Sequence, residues 1–183
     1  MSSLPDPRPP AASDDFVAQL AELAPDGAIS ALRAFRADAT RYTQGSHDAL
    51  FSDDVTDLSL RERLITAWYA ALLSRADRTA QVYRERLLAL ETTDSAATLA
   101  LLDAIAQHRE LPGEPLADKR LAAILAHTEA LVLHPATSGH AALTALQAAG
   151  LTTRAIVALS QLVAFVTYQV RVVAALRALE AKA

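Results

Sequence analysis

An all-α fold, a single-domain bundle of about seven or eight helices, is what three features of this sequence predict. Ala and Leu dominate a chain of 183 residues that is 52% hydrophobic but only 5% aromatic. Unbranched side chains of this kind lose little conformational freedom in a helix. Glycine occurs 5 times and proline 8 times, and they punctuate the apolar runs more than they interrupt them. Those runs recur at helical spacing, as in Leu64, Ile65, Trp68, Ala71 and Leu72. With no obvious linker at its middle, the chain has the length for one sizeable core.

The elements follow in order. Residues 1–14, rich in Pro, Ser and Ala, have no apolar run and read as a mobile N-terminal tail ahead of a domain spanning 15–183. Asp14 or Asp15 caps a first helix to about Leu23, and Ala24-Pro25-Asp26-Gly27 breaks it. A second starts near Ala28, carries Leu32, Phe35 and Arg36, and ends between Thr40 and Gln44. Residues 47–57 are polar and acidic and read as a loop with a short helical piece.

Ser59 and Glu62 then form a capping box: the serine hydroxyl accepts from the free amides, and the glutamate three residues on reaches back to the cap amide. The helix this opens buries one broad face until about Ser74, and Arg75-Ala76-Asp77 makes a tight junction into a helix with Ala80, Tyr83, Leu87, Leu88 and Leu90. Thr93 or Asp94 caps the next, which runs to Arg109 before Pro112-Gly113-Glu114-Pro115 stops it. Asp118 opens a helix with Leu121, Ile124, Leu125, Thr128 and Leu131, and Pro135 ends it at His134. Ser138 caps a helix to Ala148 with Gly150 as its left-handed stop, and a last helix runs from Thr152 or Thr153 to about Glu180. That helix is apolar nearly all round between residues 156 and 173, so it needs cover on several sides, which a homo-oligomer supplies.

Composition excludes several functions. The chain has no cysteine, so it has no disulfide, no thiolate nucleophile and no Cys-ligated metal. A net charge of −4 without a basic block, and with few aromatics, speaks against a nucleic-acid partner. Residues 155–176 are long enough to span a membrane, but Ser160, Gln161, Thr167, Gln169 and Arg171 interrupt them, so a buried helix and no membrane partner are expected. Without an export signal the expected compartment is the cytoplasm. His127, His134 and His140, spaced by seven and six with a proline between, match no compact ligand motif; neither a metal nor another cofactor is implied.

The candidate catalytic residues are Glu62 and Tyr83, and the candidate substrate-binding residues are Arg78 and Arg86. A buried Glu62 would act as a general base, its pKa raised by desolvation. Either arginine would hold a carboxylate through a planar two-point contact, or would pair with Glu62, Glu85 or Glu91. Trp68, Tyr69, Phe165 and Tyr168 are expected to pack the core. Two stretches echo each other at an offset of about 93: Leu58, Ser59, Arg61 and Leu64 fall against Leu151, Thr152, Arg154 and Val157.

Leu58-Ser59-Leu60-Arg61-Glu62-Arg63-Leu64, with the Ala-rich helix, break and Arg-rich helix after it, resembles the alkylhydroperoxidase D and carboxymuconolactone decarboxylase superfamily. Ala149-Gly150-Leu151-Thr152-Thr153-Arg154 and its helix resemble it too, and the resemblance covers roughly residues 28–179. The peroxidase branch has a glutamate, eleven residues, Cys-x-x-Cys, three residues and a histidine; from Glu62 those positions fall on Ser74, Asp77 and Gln81. The resemblance therefore implies a cysteine-less, peroxidase-related or decarboxylase-like protein, oligomeric and without thiol peroxidase activity. Two alternatives stand beside it. One is a small-molecule enzyme using Glu62 for proton transfer on a carboxylate-bearing substrate, and the other is a non-catalytic oligomeric partner protein.

Overall fold

The described residues of a computed structural model are 15–91, 95–110, 118–137 and 139–182, without the side chains of 108–110 and 137. They form nine α-helices and one 3-10 turn, with no strand among the described residues. The helices are α1 (Phe16–Ala21), α2 (Ala28–Phe35), α3 (Ala37–Phe51), α4 (Leu60–Leu73), α5 (Asp77–Leu90), α6 (Ser95–Glu110), α7 (Lys119–Leu133), α8 (His140–Ala148) and α9 (Thr153–Glu180). The expected N-terminal tail, the caps at Thr93 or Asp94, the stop at residues 112–115 and the Ser138 cap lie outside the described residues. The chain divides into two compact units, one of residues 1–52 and 168–183 and one of residues 53–167.

In the first unit the Asp15 carboxylate caps α1 at the Ala18 amide (3.1 Å) and also takes a two-point bond from Arg33 of α2, 2.8 Å each from Nε and Nη2. The second helix expected here is in fact two. Arg36 leaves helical geometry (φ −110°, ψ 47°), and α3 begins at once and runs to Phe51, through residues expected to be loop. The reason lies in what α3 buries. Gln44 accepts from the Phe16 amide at 2.8 Å, and the buried His47 ring lies 4.4 Å from Phe16 and 5.0 Å from Phe51. A helix whose inner face is Gln44, His47 and Phe51 shows no apolar stripe for a sequence reading to find.

The second unit is organised by α4, which packs against α5 and α7. Every residue from 63 to 71 is buried, so α4 is a central helix enclosed on all sides and not the one-faced helix its spacing predicts. It ends in a Schellman turn: the Ala76 amide donates to Ala71 O (2.9 Å), the Arg75 amide donates to Leu72 O (3.0 Å), and Arg75 takes the left-handed position (φ 55°). The same turn ends α8, with Gly150 at φ 85°. Leu58 and Leu151, the residues just before α4 and α9, are buried in one apolar cluster with Ile124, Leu146, Leu159 and Val163. Trp68, Tyr69 and Phe165 are buried as expected; Tyr168, in the first unit, is 45% exposed, because it falls on the outer line of α9.

Candidate functional site

The capping box at the start of α4 is formed in full. The Ser59 hydroxyl accepts from the Glu62 amide at 3.2 Å, and Glu62 Oε2 accepts from both the Ser59 amide and the Ser59 hydroxyl at 2.8 Å. The other carboxylate oxygen is engaged too. Glu62 Oε1 accepts from Arg120 Nε of α7 at 2.6 Å, in an ion pair with side-chain exposures of 17% for Glu62 and 32% for Arg120. Burial by itself raises the Glu62 pKa, but the hydrogen bonds from Arg120 and Ser59 outweigh it and hold the carboxyl below its ordinary value. An ionised, paired carboxylate is a poor match for proton abstraction near neutrality, where an effective base has a pKa close to the working pH.

Arg120 is the residue of this cluster that the sequence did not reveal. Besides Glu62, its Nη1 donates to Gly150 O and its Nη2 to Asp57 O, each at 2.9 Å. One guanidinium thus ties the segment before α4, the first turn of α4 and the turn between α8 and α9 to the start of α7. Asp57 continues the network by accepting from the Thr152 hydroxyl at 2.7 Å, while Thr152 caps α9 at the Ala155 amide (3.1 Å). That Thr152 bond, with the other contacts of Asp57, leaves its pKa below the ordinary value despite the opposing desolvation. Ser59 and Thr152, paired in the internal echo, therefore make the same cap, each bonding the amide three residues on. The echo fades beyond the caps: Leu64 is buried and its counterpart Val157 is 52% exposed.

The other candidate residues lie along α5. Tyr83 is buried, with 0% exposure, so a substrate in solution reaches its hydroxyl only if the fold opens. The Arg86 guanidinium lies over the Tyr83 ring, 5.8 Å from its centre, one turn away on the same helix. Arg78 is exposed in the first turn of α5. The bond from Arg61 of α4 to Glu91, at the end of α5, makes the two helices antiparallel neighbours. Glu62 therefore stands beside the far end of α5 from Arg78, roughly 20 Å away at 1.5 Å per residue. The structure does not gather these residues into one cleft. The acid partners are Arg120 for Glu62 and Arg61 for Glu91, whereas Glu85 accepts from Gln81 at 2.8 Å.

At the positions aligned with the thiol pair and relay histidine, Ser74 donates to Ala70 O at 2.7 Å, Asp77 is exposed at the first position of α5, and Gln81 is exposed. His127 is buried, with Nε2 3.1 Å from the Ser160 hydroxyl, which itself donates to Ile156 O at 2.9 Å. With the serine hydrogen spent on that carbonyl, Nε2 is the donor and Nδ1 keeps a bare lone pair. Nδ1 is buried and has no hydrogen-bond partner, and burial pushes the imidazole pKa down. His134 and His140 are exposed, and no three His, Asp or Glu side chains converge as a metal site among the described residues. Compared with known proteins, the chain matches no family model and no curated protein.

Proposed function

We propose that this chain is a cysteine-less alkylhydroperoxidase D-like or carboxymuconolactone decarboxylase-like protein without thiol peroxidase activity, acting as a non-catalytic scaffold in a cytoplasmic homo-oligomer. The observation that supports the non-catalytic part of this reading is the engagement of both Glu62 oxygens, one by the Ser59 cap and one by Arg120. In the peroxidase branch that this helix pair resembles, the glutamate and a histidine serve a thiolate; here there is no cysteine, and the glutamate holds helix ends together. Proton transfer by Glu62 on a carboxylate-bearing substrate has less support, because its lowered pKa and its separation from Arg78 both work against it.

The test is an assay of organic hydroperoxide reduction with a dithiol reductant. Wild-type protein should match a heat-killed control, and Ser74→Cys with Asp77→Cys should recover little, since Gln81 still stands at the relay position. Robust turnover by the wild type would overturn the proposal.

A further inference from the structure

The first unit contains a pocket of about 180 Å³ between α2, α3 and the C-terminal part of α9. Its walls are apolar, from Ile29, Leu32, Leu176, Leu179 and the Tyr168 ring. Its polar groups are two arginines, Arg33 and Arg36, and the hydroxyls of Thr40, Thr43 and Tyr168. The charges are not equivalent. Arg33 is neutralised by its two-point bond to Asp15, whereas Arg36 is exposed and makes no ion pair or side-chain hydrogen bond among the described residues. Asp38, the acid nearest in sequence, is paired with Arg41 at 2.8 Å. Among the described residues the site therefore carries one guanidinium with no acid paired to it.

The Thr43 and Tyr168 hydroxyls lie 3.2 Å apart in the lining and bond to each other. The apolar rim is open to solvent, with Leu32 60% and Leu179 49% exposed. A cavity of about 150 Å³ lined by apolar side chains holds one benzene ring, so this pocket has room for about six to eight carbons. Apolar walls around one free guanidinium suit an anion with a single charge and a hydrocarbon tail, and the planar fork of arginine fits a carboxylate on two points.

We propose that this pocket binds a small monocarboxylate with an apolar tail, its carboxylate held by Arg36 and its tail by Ile29, Leu32, Leu176 and Leu179. The site is separate from Glu62 and does not depend on whether that residue is catalytic.

The test is isothermal titration calorimetry on the full chain with three probes. Octanoate should bind at one site per chain, octanol, with the same tail and no charge, at least tenfold more weakly, and acetate not measurably. Arg36→Gln should weaken octanoate at least tenfold and leave octanol unchanged. Ala39→Trp, which fills the pocket from an exposed position on its lining, should remove octanoate binding. Equal binding of octanoate and octanol, or octanoate binding untouched by both substitutions, overturns the proposal. So does self-association abolished by Ala39→Trp in a chain that takes up no octanoate, since a second copy would then be the occupant.

Discussion

The three bonds made by Arg120 set a specific demand on substitution. Arg120→Ala leaves the largely buried Glu62 carboxylate without its countercharge and the Gly150 and Asp57 carbonyls without a donor, so it should cost about 2–3 kcal/mol in urea unfolding. His127 makes a pH demand through its burial, not through a charged partner. Its pKa is lowered in the folded state from an ordinary value of 6.5, so below that pH the unfolded chain binds the proton more readily. His127 should favour the fold fully above about pH 6.5 and less as pH falls toward its folded pKa. Unfolding followed between pH 7.5 and 5 should show a loss of stability that is reduced in His127→Leu; equal slopes would remove His127 as the cause. The candidate site was partly legible at this scale. Ser59 and Glu62 declare their cap by a fixed spacing, but Arg120 lies 58 residues from Glu62 and belongs to no motif, so only the fold shows their pairing.

At the scale of elements, the Schellman turns that end α4 and α8 differ in one residue that matters. Arg75 holds a left-handed conformation that costs a non-glycine residue roughly 1–2 kcal/mol, while Gly150 occupies the equivalent place without strain. Arg75→Gly should raise stability by about 0.5–1 kcal/mol after the entropy of a glycine in the unfolded chain is set against the relief. Gly150→Ala should lower it by about 1–2 kcal/mol through backbone strain alone, since an added Cβ would touch nothing within 4 Å. Differential scanning calorimetry of the two variants checks both signs. Helices marked by a capping residue and an apolar repeat, α1, α4, α7 and α9, were legible from those signals. Helix α3 was not, because its buried residue is the polar His47, and because the break before it falls at Arg36 without a glycine or proline to mark it.

For the whole molecule, α9 is the element with the widest reach. By length and composition it could cross a membrane, yet half of its most apolar window is buried inside the protein. Its outward line in the second unit is Val157, Gln161 and Ala164, a mixed surface and less apolar than the sequence alone suggested. If copies associate along that line, light scattering at micromolar concentration should find a dimer or larger species, and Val157→Lys should dissociate it. A wild-type monomer at that concentration would reject the oligomeric part of the proposal. The all-helical architecture was legible because composition and period act along the whole chain. What each helix end bonds to was not, since those contacts join segments far apart in sequence.

The central claim is that Glu62 holds the fold together, and equilibrium urea unfolding of Glu62→Gln tests it most directly. The amide keeps an oxygen for the Ser59 cap but loses the charge opposite Arg120, which the cap alone would not register beyond about 1 kcal/mol. A loss of about 1–2 kcal/mol at pH 7 is expected, shrinking as pH falls through the lowered Glu62 pKa, because protonation removes the same charge from the wild type. A variant as stable as the wild type, or more so, would contradict the account, since that is how a charged residue kept for function and not for stability behaves.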